Sequence, residues 1–414
     1  MSLSRGSIGV GASMPAPQLA QSSFGQRIRS AVEASPDLAQ SATRLEIATA
    51  NEVAAKGAFL PQLSVGINAR SERVDSDIAD VTPYLRISQL VYDGGAASND
   101  LAAARARVLQ GRGDQLQTAS AIALSTIEAY VVVLDRRKLL EIAAQNVTVH
   151  EELVYQITER TDQGVGSNAD VLTARSRIAD ARTRLADARA QLDRANAQFR
   201  EFFGVAPGVL PSPIAAPKLS RTDEKIVMDS PQVRRSDAVL LAAKAEYAAA
   251  LARRQPGVQI AAFADRDDSN DANFGVDLSF NYEIDSTGQR RAAIAAAEAQ
   301  VEEAEFTRYA VIRDIRRELG FVRSDQQAGA VRLQAARTAV DANADSVAAA
   351  REQFTIGRRS LIEILDSQRD YVNAQERLIL AERNFFLTNY AALSLTGDIL
   401  DLLGISTTKW EDSL

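Results

Sequence analysis

The chain has 414 residues, with 54 acidic against 47 basic side chains, a net charge of −7, one histidine and no cysteine. An acidic balance with no basic block excludes a nucleic-acid partner, which needs a concentrated positive surface, and the lack of cysteine excludes disulfide staples and thiolate metal sites. No apolar run approaches the ~20 residues of a membrane-spanning helix; the longest are strings such as YVVVL at 130–134.

In chain order, the first twenty residues are small and polar, with Arg5 and a weakly apolar GSIGVGA. They read as the remains of a secretory leader, or as a start placed downstream of one, because no apolar leader core follows. Residues 1–23 are expected to be flexible, and an amphipathic helix is expected over 24–57. Residues 62–70, QLSVGINAR, alternate strictly: Leu63, Val65, Ile67 and Ala69 share one face, and Gln62, Ser64, Asn68 and Arg70 the other. That is the period of a strand. A looser strand at 84–92 completes a hairpin over about 59–92, with an acidic tip, ERVDSDIADV, at 72–81.

A long stretch over 96–163 is rich in Ala, Arg, Glu, Gln and Leu, all good helix formers. At 1.5 Å per residue it measures about 100 Å, as in a coiled-coil rod or a tube wall. Gly111 and Gly113 are expected to bend or break it, and the single histidine, His150, reads as a structural residue within it. After the turn TDQGVGSNADVL (161–172) a second helix returns over 167–203. Its Leu172, Ile178, Leu185 and Leu192 stand near heptad spacing among alanines, which argues close helix-on-helix packing. GVAPGVLPSPIAAPKLS at 204–220 carries four prolines and reads as a linker or side element.

The second half repeats this order: a helix over 230–254, a strand at 258–264, an acidic tip, DRDDSNDA, at 265–272, and a strictly alternating strand, NFGVDLSFNY, at 273–282. Phe274, Val276, Leu278, Phe280 and Tyr282 share one face of that strand. A long helix over 289–356, with Gly320 as an expected bend, leads to the turn FTIGRRSLIEILD (354–366) and a return helix over 360–396. An offset of 193 positions superposes Gly164 on Gly357, Ser167 on Ser360 and Gly204 on Gly397. This is a tandem duplication. The expected division is a flexible segment 1–23, a first repeat 24–204 with its hairpin at about 59–92, a linker 205–224, a second repeat 225–404 with its hairpin at about 256–285, and a tail 405–414.

The four strands are either two hairpins lying on helices or membrane-spanning strands, which alternate apolar and polar residues over about 9–11 positions. Four strands cannot close a membrane barrel, and open edges cannot face lipid. The membrane reading therefore requires an oligomer: eight strands from a dimer, or twelve from a trimer.

The chain resembles the TolC-like outer-membrane channel proteins of Gram-negative bacteria over residues 24–404. The resemblance rests on the duplication, on LVYDGGAASNDLAAARA after the first hairpin, on GVGSNADVLTAR with its helix to the FFG stop, and on IGRRSLIEILDSQRDYVNAQERLILAE. It implies a mainly α fold with a small transmembrane β part. Long helical hairpins form a tunnel, and four strands per chain contribute to the twelve-stranded barrel of a homotrimer. It also implies an outer-membrane location reaching into the periplasm, contact with outer-membrane lipid, and docking to a periplasmic adaptor (membrane fusion protein) and an inner-membrane pump of ABC or RND type. Such proteins are conduits and not enzymes. GRRSLIEILD and RSRIADARTRLADARAQ look closer to the branch serving type I protein secretion than to multidrug efflux. The alternative from another class is a soluble periplasmic coiled-coil scaffold or adaptor.

The repeated turn has two readings. In the structural one, Ser167 and Ser360 are N-caps, Asp170 and Glu363 complete S-x-x-D/E capping boxes, and Gly164 and Gly357 end the preceding helices in left-handed caps. In the functional one, only the second copy adds Asp366, where the first has Thr173. The resemblance implies that Glu363 and Asp366 line a closed periplasmic mouth as stacked rings, raise one another's pKa and attract cations. Phe354, Arg359 and Asp170 stand where the family's latch lies, Phe354 replacing a frequent tyrosine and lacking its hydroxyl. The paired acids lack a nucleophile, a second base and a phosphate loop, and GVG at 164–166 follows a helix. No enzyme activity, cofactor or metal is expected.

Overall fold

The computed structural model describes residues 16–70, 80–217, 219, 221–266 and 271–405. In chain order it holds α1 (Ala16–Gln21), α2 (Ser23–Glu33), α3 (Pro36–Gly57), β1 (Gln62–Arg70), β2 (Asp80–Tyr92), α4 (Ala96–Asp162), α5 (Asn168–Phe203), α6 (Asp223–Asp229), α7 (Pro231–Ala252), β3 (Gly257–Arg266), β4 (Ala272–Asn281), α8 (Gln289–Thr355), α9 (Leu361–Thr396) and α10 (Asp398–Leu403). The long helices α4 and α8 have 67 residues each, and α5 and α9 have 36 each. Most of the first acidic hairpin tip and half of the second fall outside the described residues, as do all of residues 1–15 and the tail from 406.

Three expectations are corrected. The helix over 24–57 is two helices, because Pro36 brings no N–H and disfavours the helical conformation at Ser35. The segment expected to be flexible is helical from Ala16, with Leu19 buried. Gly111, Gly113 and Gly320 do not break their helices. Gly113 is small for a packing reason instead: a Cβ there would lie 2.9 Å from the Cβ of Arg235 and 3.1 Å from its Cα.

The chain divides into two compact units. One comprises residues 40–115 and 231–314 and contains the four strands. They form one antiparallel sheet in the order β1-β2-β3-β4. Directly opposed residues share a face, so the register lays out apolar rows. Leu63 stands opposite Ile87, Ile87 opposite Ala262, and Ala262 opposite Val276; the next row runs Val65, Leu85, Ala264, Phe274. This face is open: Val65 is 76% and Phe274 80% exposed. On the other face the Tyr84 ring covers Gly66 and the Phe263 ring covers Gly275, each filling the space a Cβ would need. Around the sheet's helices run ion pairs that include Arg107–Glu246 (2.7 Å), Arg253–Asp100 (2.7 Å), Lys244–Glu305 (3.1 Å) and Arg235–Asp114. Such exposed pairs contribute roughly 0–1 kcal/mol each.

The other unit holds the described residues up to 39, 116–230 and from 315 on. Its core includes an aromatic cluster of Phe24, Tyr130, Phe199, Phe203 and Tyr390. Two buried tyrosines from different helices hold the proline-rich connection: Tyr130 donates its hydroxyl to the Pro211 carbonyl and Tyr390 to that of Ile214, each at 2.6 Å. Helix α4 carries a window apolar enough to cross a membrane by composition, contrary to expectation, and 56% of that window is buried inside the chain. With Ile122, Ile127, Val131 and Val133 all buried, α4 serves as a core helix.

Gly113→Ala is expected to destabilise the protein by about 1–3 kcal/mol through overpacking against Arg235. A methyl group at Gly320 meets nothing within 4 Å. Gly320→Ala is therefore expected to stabilise by roughly 0.5–1 kcal/mol. Thermal unfolding of the two variants in detergent should move in opposite directions.

Candidate functional site

The two glycine turns lie within one unit and are built alike up to a point. At each, the preceding helix ends in a left-handed glycine, Gly164 at φ +78° and Gly357 at φ +74°. Two backbone bonds close each reversal: Val165 N–H to Arg160 and Gly164 N–H to Thr161 at the first, Arg358 N–H to Gln353 and Gly357 N–H to Phe354 at the second. A β-branched or bulky residue is strained at such a φ, so glycine recurs. Between the turns sits an apolar cluster of Leu153, Ile157, Val171, Ala350, Leu361 and Ile364, with Phe354 packed on it.

The caps differ, which corrects the expectation of two capping boxes. At the second turn the box is complete. Ser360 Oγ accepts from the Glu363 N–H at 3.4 Å, and Glu363 Oε2 accepts from the Ser360 N–H at 2.9 Å and its hydroxyl at 3.0 Å. At the first, Ser167 Oγ accepts from Ala169 N–H at 3.1 Å, and the Asp170 side chain makes no hydrogen bond or ion pair among the described residues. The longer glutamate spans the return path to its cap; the aspartate, one methylene shorter, does not.

Glu363 and Asp366 do not present two free carboxylates. Bonds from the Ser360 backbone and hydroxyl, with the nearby Arg359 charge, hold the Glu363 carboxyl below its ordinary value. This opposes, within one chain, the upward shift expected from a ring of acids. Asp366 pairs with Arg369 at 3.1 Å. The latch residues also fall differently. Within the chain, neither Arg359 nor Asp170 engages Phe354. Arg160 does: its guanidinium lies 4.7 Å from the centre of the Phe354 ring and its Nη1 donates to the Phe354 carbonyl at 3.3 Å. Sequence reasoning missed Arg160 because its counterpart in the repeat is Gln353, so the duplication gives no signal there. Among the described residues no cluster of three His, Asp or Glu side chains is arranged to hold a metal ion.

The family model described as "Outer membrane efflux protein" matches residues 27–205 and 225–396, on either side of the proline-rich connection. The chain belongs to the outer membrane efflux protein family. A relative, the outer membrane efflux protein BepC of Brucella suis biovar 1 (strain 1330), is 25% identical over 384 residues, covering 87% of this chain and 82% of that one. Among solved structures, CusC superposes with a TM-score of 0.82 at 17% identity, covering 90% of this chain and 91% of that chain. VceC from Vibrio cholerae gives 0.78 at 18% identity, covering 90% and 95%, and the channel OprN 0.79 at 19%, covering 92% and 91%. The protein is thus an outer-membrane efflux channel reaching into the periplasm, and neither an enzyme nor a soluble scaffold.

Glu363→Gln is expected to raise amide hydrogen exchange in the first turn of α9, and Asp170→Asn to leave α5 nearly unchanged. Because the Glu363 carboxyl is held low, its cap is fully present above about pH 4.5, the ordinary carboxyl range. It is lost as pH falls through the lowered value, so the difference between Glu363→Gln and wild type should close there.

Proposed function

We propose that three copies of this chain form the exit duct of a tripartite export machine. The observation that carries this reading is the sheet. Every neighbouring strand pair is antiparallel, β1 and β4 are free edges within the chain, and one face is apolar and exposed. β4 of one copy and β1 of the next therefore run in opposite senses and can pair in turn, as a closed barrel requires. Two copies would give eight strands, whose interior is filled by side chains. Three give twelve and leave a passage. The helices continue the passage into the periplasm, where an adaptor and an inner-membrane pump, of ABC or RND type, engage it. The duct is passive; the pump supplies the work.

The second-turn string GRRSLIEILD and the α5 string RSRIADARTRLADARAQ support type I protein secretion as the service performed. Small-molecule efflux is the second reading, favoured by the family's description and by the relative's name. Deleting the protein from its host separates them. Loss of secreted polypeptides from the medium with unchanged drug susceptibility supports secretion, and the reverse supports efflux.

We further propose that Glu363 and Asp366, at the start of α9, set ion preference at the mouth. In planar bilayers, the double change Glu363→Gln and Asp366→Asn is expected to lower cation-over-anion preference severalfold. Unchanged preference would leave the acids as helix-start residues only.

A further inference from the structure

Beside the second turn, α4, α5 and α9 line a half-open cavity of about 50 Å³. Two polar side chains of α4, Asn146 and His150, line it, and each is only 7% exposed. Among the described residues His150 Nδ1 and Asn146 Oδ1 are both buried without a hydrogen-bond partner. A buried polar atom left unpaired is costly, and the mouth reading above gives this pair no task. The chain's sole histidine is the one group here whose charge changes near neutral pH.

The surrounding charges are mixed. Arg177, Asp180 and Arg184 face the cavity from α5, and Asp366 and Arg369 from α9. Burial, then the Arg177 charge, with Arg184 adding and Asp180 opposing, holds the imidazole below its usual value. The packed arrangement therefore favours neutral His150. A proton added to the neutral imidazole makes both of its ring nitrogens donors, in a place where burial denies them water. It also adds a positive charge beside Arg177 and Arg184. By linkage, protons favour any arrangement in which His150 is hydrated. Here that means the start of α9 withdrawn from α4 and α5.

We propose that His150 is a proton-sensing residue of the mouth, whose protonation favours separation of the α9 start from α4 and α5. This rests on the channel reading above, because the α9 start carries Glu363 and Asp366.

Two measurements compare wild type with His150→Gln, which keeps hydrogen-bonding capacity and cannot take the charge. In planar bilayers, lowering pH from about 7.5 to about 5.5 brackets the ordinary imidazole value of about 6.5. Open occupancy of wild type is expected to rise, by up to about tenfold per histidine over this window, and that of His150→Gln to stay flat. The second measurement is thermal unfolding in detergent. The depressed imidazole has no effect well above about pH 6.5 and costs stability as pH falls from there toward its lowered value. Wild type should lose stability over that window relative to His150→Gln. Asp135, a buried carboxyl near Arg383 pushed up to about 6 mainly by burial, acts with the opposite sign but is common to both proteins and cancels. An equal acid response of the two channels, or parallel melting curves, overturns the proposal. Failure of both proteins to form channels overturns the duct reading, and the melting comparison still decides for His150.

Discussion

Unpaired backbone edges cannot face hydrocarbon. Each N–H and C=O left without a partner in lipid costs several kcal/mol, and the four-stranded sheet leaves one such row on β1 and another on β4. The exposed apolar rows from Leu63 to Val276 and from Val65 to Phe274 fit a lipid-facing surface. Together they account for why the chain is built as a fraction of a barrel. The antiparallel order makes the edges mutually complementary, and ring closure by further copies removes both at once.

The same economy shapes the helices. Two long hairpins of similar length arise from one duplicated unit, and where their turns need a left-handed residue both copies keep glycine. Where function can differ, the copies diverge. The second turn has a complete glutamate capping box, a second acid at Asp366 and a neighbouring cavity with a buried imidazole. The first has a shorter cap and an aspartate without a partner among the described residues. Arg160 then joins the two copies by gripping Phe354 through both its ring and its carbonyl.

Much of this was legible in the sequence because it depends on local rules. Period-2 alternation located β1 at 62–70, and turn glycines with capping serines located the helix ends to within a residue or so. What stayed hidden depends on neighbours far along the chain. Gly113 reads as a helix breaker until Arg235 is seen against it. That Tyr84 covers Gly66 and Phe263 covers Gly275 depends on cross-strand partners that only the register supplies. Asp170 and Glu363 occupy the same motif position, yet one methylene decides which reaches its cap. The partner of Phe354 lies 194 positions away, and no spacing rule points to it. His150 looked ordinary because burial and an unpaired nitrogen are properties of packing.

In a ring of three, β1 of one copy meets β4 of another. With no native cysteine, introduced pairs report without background. Cysteines placed at Gln62 or Ser64 on β1, combined with Asp277 or Ser279 on β4, scan the unknown register on the polar face, and oxidation in outer membranes traps any pair whose Cα atoms lie within about 7 Å. At least one combination is expected to yield a covalent ladder that stops at three chains. A single-chain band from every combination, or a ladder running past three, would contradict the ring of three.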